Sequence, residues 1–195
     1  MPACPISTGL LSCLDPPQGG VLLPVLWNIV FDGLLKLFDT CPVKVIGYGD
    51  DAALVVARSD PFTLVALMQQ ALSKALQWSE SVGLIFSREK TTAVVFTTKR
   101  DGSSRFPPLF FSGAPIEYCS SVKYLGIILD SKLTFKLHVK HKCKKATLLL
   151  FAFSKSIGRM WGPSQRAKEW TFTALVWLIV LFGSLVWAYR VGANF

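Results

Sequence analysis

Val43-Lys44-Val45-Ile46-Gly47-Tyr48-Gly49-Asp50-Asp51-Ala52-Ala53-Leu54-Val55-Val56-Ala57 consists of two aliphatic, β-rich runs flanking a small cluster that contains two glycines and two acids. Val43–Ile46 and Ala53–Val56 have strand composition, and Gly47–Asp51 has turn composition, so the stretch predicts a hairpin with both aspartates at its tip. Adjacent carboxylates repel, and a fold gains nothing from the pair unless a cation neutralises it; magnesium is the natural candidate. Gly47 and Gly49 remove side-chain bulk beside the acids, which would let a substrate backbone come near. Read alone, the same residues also suit a solvated turn, and the surrounding sequence has to decide.

Working outward, Asp60-Pro61 supplies an N-cap and a proline at the first helical position. Leu64, Leu67, Met68, Ala71, Ala75, Trp78 and Val82 then recur at helical spacing until Gly83, predicting a helix packed on the sheet. Thr91–Thr97 alternates as a strand, a second hairpin turns at Ser112-Gly113, and Val122–Leu129 reads as a further strand. Upstream, Val21–Phe38 suits a buried helix beginning at Pro24 and ended by Thr40-Cys41-Pro42. Residues 1–17, turn-rich and ending in Asp15-Pro16-Pro17, read as a ragged start.

The 195 residues are 51% hydrophobic and 17% charged, which excludes a disordered tail. Net charge is +9. Residues 1–100 hold 8 basic and 8 acidic side chains while residues 101–195 hold 13 and 4, so the surplus lies in the second half and points to a polyanion or an anionic membrane there. Beyond Asp130 ten lysines and arginines occur before the first acid, Glu169, which places a compositional boundary near residue 131. Phe135, Val139, Cys143, Ala146, Leu150 and Phe153 form one helical stripe and Lys136, Lys140 and Lys144 an adjacent one. His138 and His141 read as polar surface or phosphate contacts. Five widely spaced cysteines indicate neither a disulfide framework nor a zinc site, and the N-terminus has no secretory or transit pattern, so an intracellular setting, cytoplasmic or nuclear, is expected.

Several motifs in order resemble the reverse transcriptase of non-LTR (LINE, jockey-like) retrotransposons. Pro17-Gln18-Gly19-Gly20-Val21-Leu22-Leu23-Pro24-Val25-Leu26-Trp27-Asn28 resembles polymerase motif B, and Ile46–Asp51 resembles motif C, the metal-binding YxDD box. Trp78-Ser79 with Gly83–Thr91 resembles motif D, and Tyr124-Leu125-Gly126-Ile127-Ile128-Leu129-Asp130 the motif E primer grip. Trp161-Gly162 and Gly183–Trp187 resemble the thumb that follows.

The resemblance implies an α+β fold: a partial polymerase palm over residues 18–130, an antiparallel sheet backed by helices, then a basic helical thumb over 131–195. It implies RNA-directed DNA synthesis with Mg²⁺ or Mn²⁺, deoxynucleoside triphosphates, an RNA template and a DNA primer. Asp50 and Asp51 would hold metal, Lys90 would assist at the triphosphate, and Gln18, Gly19, Gly20 and Tyr48 would shape the substrate site. Tyr124, Gly126, Lys132, Lys136, Lys140, Lys144 and Lys145 would hold nucleic acid.

The family also uses a motif A aspartate and fingers upstream of motif B, where this sequence has 17 residues before Gln18, so the chain is expected to be inactive or nearly so alone. Leu23 stands where the family usually has serine, and Gly49 where alanine is commoner. Two other classes compete: a non-catalytic nucleic-acid-binding remnant, and a small membrane protein whose uncharged stretch Trp170–Tyr189 has the length of a span.

Overall fold

The computed structural model describes residues 3–12, 21–98, 106–155, 162 and 164–192, the first segment by its backbone. The chain divides into two compact units, Met1–Val122 and Lys123–Phe195. The compositional change at 131 falls inside the second unit, because the strands just before it belong with the basic helix just after it.

The first unit is α+β. Its elements are β1 (Ala3–Ser12), α1 (Leu23–Leu37), β2 (Lys44–Tyr48), β3 (Asp51–Ala57), α2 (Pro61–Ser81), β4 (Leu84–Phe86), β5 (Thr92–Val94), β6 (Leu109–Phe111), β7 (Ala114–Ile116) and β8 (Tyr118–Cys119). One sheet has the order β2-β3-β1-β5-β8 with β4 also on β1, and β6-β7 forms a separate hairpin. All pairs of the sheet are antiparallel except β5 with β8.

The predicted ragged start is corrected. Residues 3–12 form the central strand, running from Ala3 opposite Ala57 to Gly9 opposite Asp51. Pro5 and Gly9 make the segment look like turn material. Backbone pairing with β3 on one side and β4 and β5 on the other holds it extended nonetheless.

Helix α2 forms as its sequence signals require. The Asp60 carboxylate accepts the Thr63 N–H at 2.7 Å, which holds that carboxyl below its usual range, and Pro61 opens the first turn. Its inner face is fully buried at Leu64, Met68 and Leu72, each contributing about 1.5–3 kcal/mol of hydrophobic stabilisation.

Helix α1 differs from its prediction as a buried helix. Only Phe31 and Leu34 are buried, while Val25, Leu26, Ile29 and Val30 lie exposed. Only the side bearing Phe31 and Leu34 joins the core, and the apolar run continues round a face that no described element covers.

The second unit contains β9 (Ser121–Tyr124, straddling the division), β10 (Ile127–Asp130), α3 (Lys136–Lys155), α4 (Gln165–Thr171), a π-helical segment Phe172–Trp177, α5 (Leu178–Val180) and α6 (Ser184–Gly192). The single strand predicted for 122–129 is a hairpin instead. Leu125 and Gly126 have φ of 47° and 82°, the two positive values of a type I′ turn.

Helix α3 presents a rotated face. Phe135, just before it, His138 and Ala146 are buried and Lys142 is half-buried, whereas Cys143 is exposed. His138 is therefore corrected from polar surface to core: it is fully buried, and its Nδ1 accepts the Ile128 N–H at 3.2 Å. Its Nε2 makes no well-formed hydrogen bond, although the Phe182 carbonyl, which already accepts from Trp187 Nε1 at 3.0 Å, faces the imidazole. Burial, reinforced by Lys142 and His141 and partly offset by that carbonyl, pushes the imidazole below its ordinary range.

Among the described residues no single helix is long and apolar enough to cross a membrane. Gln165–Val180 and Ser184–Gly192 reach that length and hydropathy only as a pair bent by 80°.

Candidate functional site

Strands β2 and β3 are joined by two residues, Gly49 and Asp50, with Tyr48 paired to Asp51. Gly49 has φ of 59° and Asp50 does not have a positive φ, the pattern of a type II′ hairpin, in which glycine leads because a side chain is strained there. Asp50 thus sits on the turn, exposed, and Asp51 opens β3, half-buried. Neither carboxylate accepts a hydrogen bond or meets a cation among the described residues. Two uncompensated carboxylates at one tip are a donor set suited to a hard divalent cation. Among the described residues no third histidine, cysteine or acid converges with them.

The two glycines have different reasons. A Cβ on Gly47 would lie 2.0 Å from Cε1 and 2.5 Å from Cζ of Phe31. The expectation that Gly47 leaves room for a substrate is therefore corrected: the space is taken by an aromatic ring of this chain. At Gly49 a Cβ would meet nothing within 4 Å, and its reason is the turn conformation.

Support for the tip comes from α1. Trp27 Nε1–H donates to the Gly49 carbonyl at 2.6 Å, and its ring stacks on Phe31 at 6.2 Å. Phe31 in turn meets Trp78 edge-on at 6.5 Å. The Trp27–Phe31 spacing, i to i+4 on one helix, was available as a pairing signal. That the pair faces the acidic turn was not.

Lys90 is exposed in the turn between β4 and β5, which the Thr91 hydroxyl closes by donating to the Ser87 carbonyl at 2.7 Å. Phe86 pairs with Leu10 and Thr92 with Ser7, so residues 87–91 turn beside Thr8 and Gly9 of β1, and Gly9 pairs across with Asp51. The Lys90 turn is therefore level with Asp51, two strands away, roughly 10 Å at strand spacings of about 4.8 Å. Tyr48 is 68% exposed beside the aspartates. Gln18, Gly19 and Gly20 lie outside the described residues, as does Trp161.

In the second unit Lys132, Lys136, Lys140, Lys144 and Lys145 are all exposed. Lys142, by contrast, has its ammonium 4.0 Å from the centroid of the Phe182 ring, and burial lowers its pKa. Tyr124 is half-buried, and a Cβ on Gly126 would come within 2.9 Å of Phe182.

Comparison with known proteins bears on this arrangement. A family model described as reverse transcriptase (RNA-dependent DNA polymerase) matches residues 8–129. The chain is 30% identical over 172 residues to a putative 115 kDa protein in the type-1 retrotransposable element R1DM of Drosophila melanogaster, covering 88% of this chain and 16% of that protein. It is 30% identical to the RNA-directed DNA polymerase from the mobile element jockey of the same species, covering 84% of this chain and 17% of the relative. A Pol polyprotein from the R1 element of Nasonia vitripennis is 21% identical, with 88% and 52% covered. The chain thus spans between about a sixth and a half of the length of these relatives. No solved structure gives a significant match.

Proposed function

This chain belongs to the reverse transcriptase (RNA-dependent DNA polymerase) family of non-LTR retrotransposons, and we propose that its first unit is the carboxylate-bearing part of the polymerase palm and its second unit a thumb. This reading is supported by the pair Asp50–Asp51, which meets no cation among the described residues, at the tip of a two-residue hairpin at one end of the sheet. Mg²⁺ or Mn²⁺ held there would activate a primer 3′-hydroxyl and stabilise the leaving pyrophosphate. Asp50 and Asp51 are the ligands. Lys90, level with Asp51, neutralises triphosphate charge, and Gln18, Gly19, Gly20 and Tyr48 border the nucleotide and template. The family pattern uses a further carboxylate from a preceding strand, and none joins the pair among the described residues. We infer that these residues catalyse little or no nucleotide transfer without that group, and that a fingers and motif A segment is the partner they work with.

The exposed lysines of the second unit, with Tyr124 and Gly126 in the grip beside them, hold the primer–template by its phosphates. Five lysines on phosphates give a salt exponent near −4.5, so affinity for an RNA–DNA hybrid is expected to fall roughly 500-fold between about 50 and 200 mM salt. Neutralising three of them in K136Q/K140Q/K144Q is expected to flatten that slope by about one unit per lysine. Fluorescence anisotropy with a labelled hybrid measures both. Affinity indifferent to salt, or unchanged in the triple variant, would remove the thumb from the proposal.

A further inference from the structure

We propose that Trp27 is a positioning residue for the acidic turn: its indole N–H, bonded to the Gly49 carbonyl, fixes the peptide that carries Asp50. The proposal rests on the metal-site reading of Asp50–Asp51 for its consequence, though not for its geometry.

The Gly49 carbonyl and the Asp50 N–H belong to one planar peptide, so a bond to the carbonyl sets the orientation of the whole unit. The bond is short, 2.6 Å, and connects residues 22 apart in sequence. Among the described residues the other hold on the tip is the β2–β3 backbone pairing that ends at Tyr48 and Asp51, and Gly47, Tyr48, Gly49 and Asp50 are all exposed. Asp50 and Asp51 repel one another, and that repulsion acts to splay the turn.

The donor is itself anchored. Trp27 stacks on Phe31, whose ring is 6% exposed and is wedged between the Cα of Gly47 and the edge of Trp78. A line of aromatic rings therefore runs from the buried face of α2 through α1 to the carbonyl beside Asp50. A divalent cation needs its carboxylates at a fixed separation, and a ligand pair held by a rigid neighbouring shell loses less freedom on binding. Of the aromatic side chains, tryptophan alone brings an N–H donor with no acceptor lone pair, so it holds the carbonyl without competing with the carboxylates for the cation.

The test is hydrogen–deuterium exchange of the whole chain, comparing wild type with Trp27→Phe, which keeps a ring on Phe31 and removes the N–H. Amides of Tyr48–Asp51 are expected to exchange about tenfold faster, with those of α2 unchanged. Mn²⁺ affinity, read from the free-ion EPR signal, is expected to weaken about tenfold in the same variant. Tip exchange unchanged, or α1, α2 and the tip loosening together, would overturn the proposal. Should Trp27→Phe fold poorly, exchange of the indole N–H in wild type decides: protection at least tenfold above that of the exposed Trp170 supports the bond, and equal exchange refutes it. Faster tip exchange in Trp27→Phe, together with Mn²⁺ binding that Asp50→Asn/Asp51→Asn leaves intact, supports the clamp and overturns the metal-site reading beneath it.

Discussion

Gly47→Ala is expected to lower the stability of the first unit by about 3 kcal/mol, the upper end for overpacking a well-filled site. The new methyl would stand 2.0 Å from Phe31 Cε1, far inside contact distance. Phe31 cannot swing aside cheaply, because Trp27 lies against one side of it and Trp78 against another. The remaining response is for β2 to pull away from α1, which drags the Asp50 turn with it. For a unit of this size the loss corresponds to a fall of roughly 10 °C in Tm, readable by circular dichroism. Gly49→Ala provides the contrast. It clashes with nothing but places alanine at φ of 59°, for a cost of about 1–2 kcal/mol. A smaller effect at Gly47 than at Gly49 would show that the ring does not occupy the glycine's face.

Asp130→Ala should be the most damaging single change in the second unit. One carboxylate oxygen accepts from the Thr134 N–H and hydroxyl, both at 2.9 Å, and the other from the Phe135 N–H at 2.7 Å. These bonds hold residues 130–135 in a loop where Leu133 and Phe135 have φ of 51° and 57°, conformations that neither side chain favours. Three charge-assisted bonds at a partly exposed site are worth about 3 kcal/mol together after allowing for competition by water. Exchange of the amides entering α3 is expected to accelerate about a hundredfold.

The same group gives the second unit an acid dependence whose sign follows from its surroundings. Burial pushes the Asp130 carboxyl upward, but the Thr134 and Phe135 donors outweigh it and hold the group below its ordinary value of 3.8. The folded state therefore binds the proton less readily than the unfolded one. The stabilisation is complete above pH 3.8 and disappears as pH falls through the lower folded-state value. Asp130→Ala should remove this part of the acid transition, and an unchanged profile would place the depression elsewhere.

The elements that local chemistry specifies were legible in the sequence. Asp60-Pro61 and Gly83 bracket α2, and glycine-bearing clusters marked the turns at 49–50 and 112–113, because caps and tight turns are fixed by residues next to one another. What failed depends on partners distant in sequence. Residues 3–12 contain Pro5 and Gly9, and only pairing with strands 40 to 90 residues away makes them the central strand. The inner face of α3 includes His138, whose ring lies 5.9 Å from that of Trp187, and Lys142, whose ammonium lies over Phe182, so counting apolar residues selected a stripe that includes the exposed Cys143. Of the candidate site, the aspartate pair could be read from residue type and order. The role of Gly47 could not, because a glycine beside an acid looks the same whether its space is kept for a substrate or filled by Phe31.

Whether Asp50 and Asp51 hold a divalent cation is read directly by titrating the chain with Mn²⁺ and following the EPR signal of the free ion. Wild type should bind, and Asp50→Asn/Asp51→Asn, isosteric changes at the hairpin tip expected to leave the fold intact, should weaken binding at least tenfold. Equal binding by the two proteins would show that the aspartate pair is not the cation site.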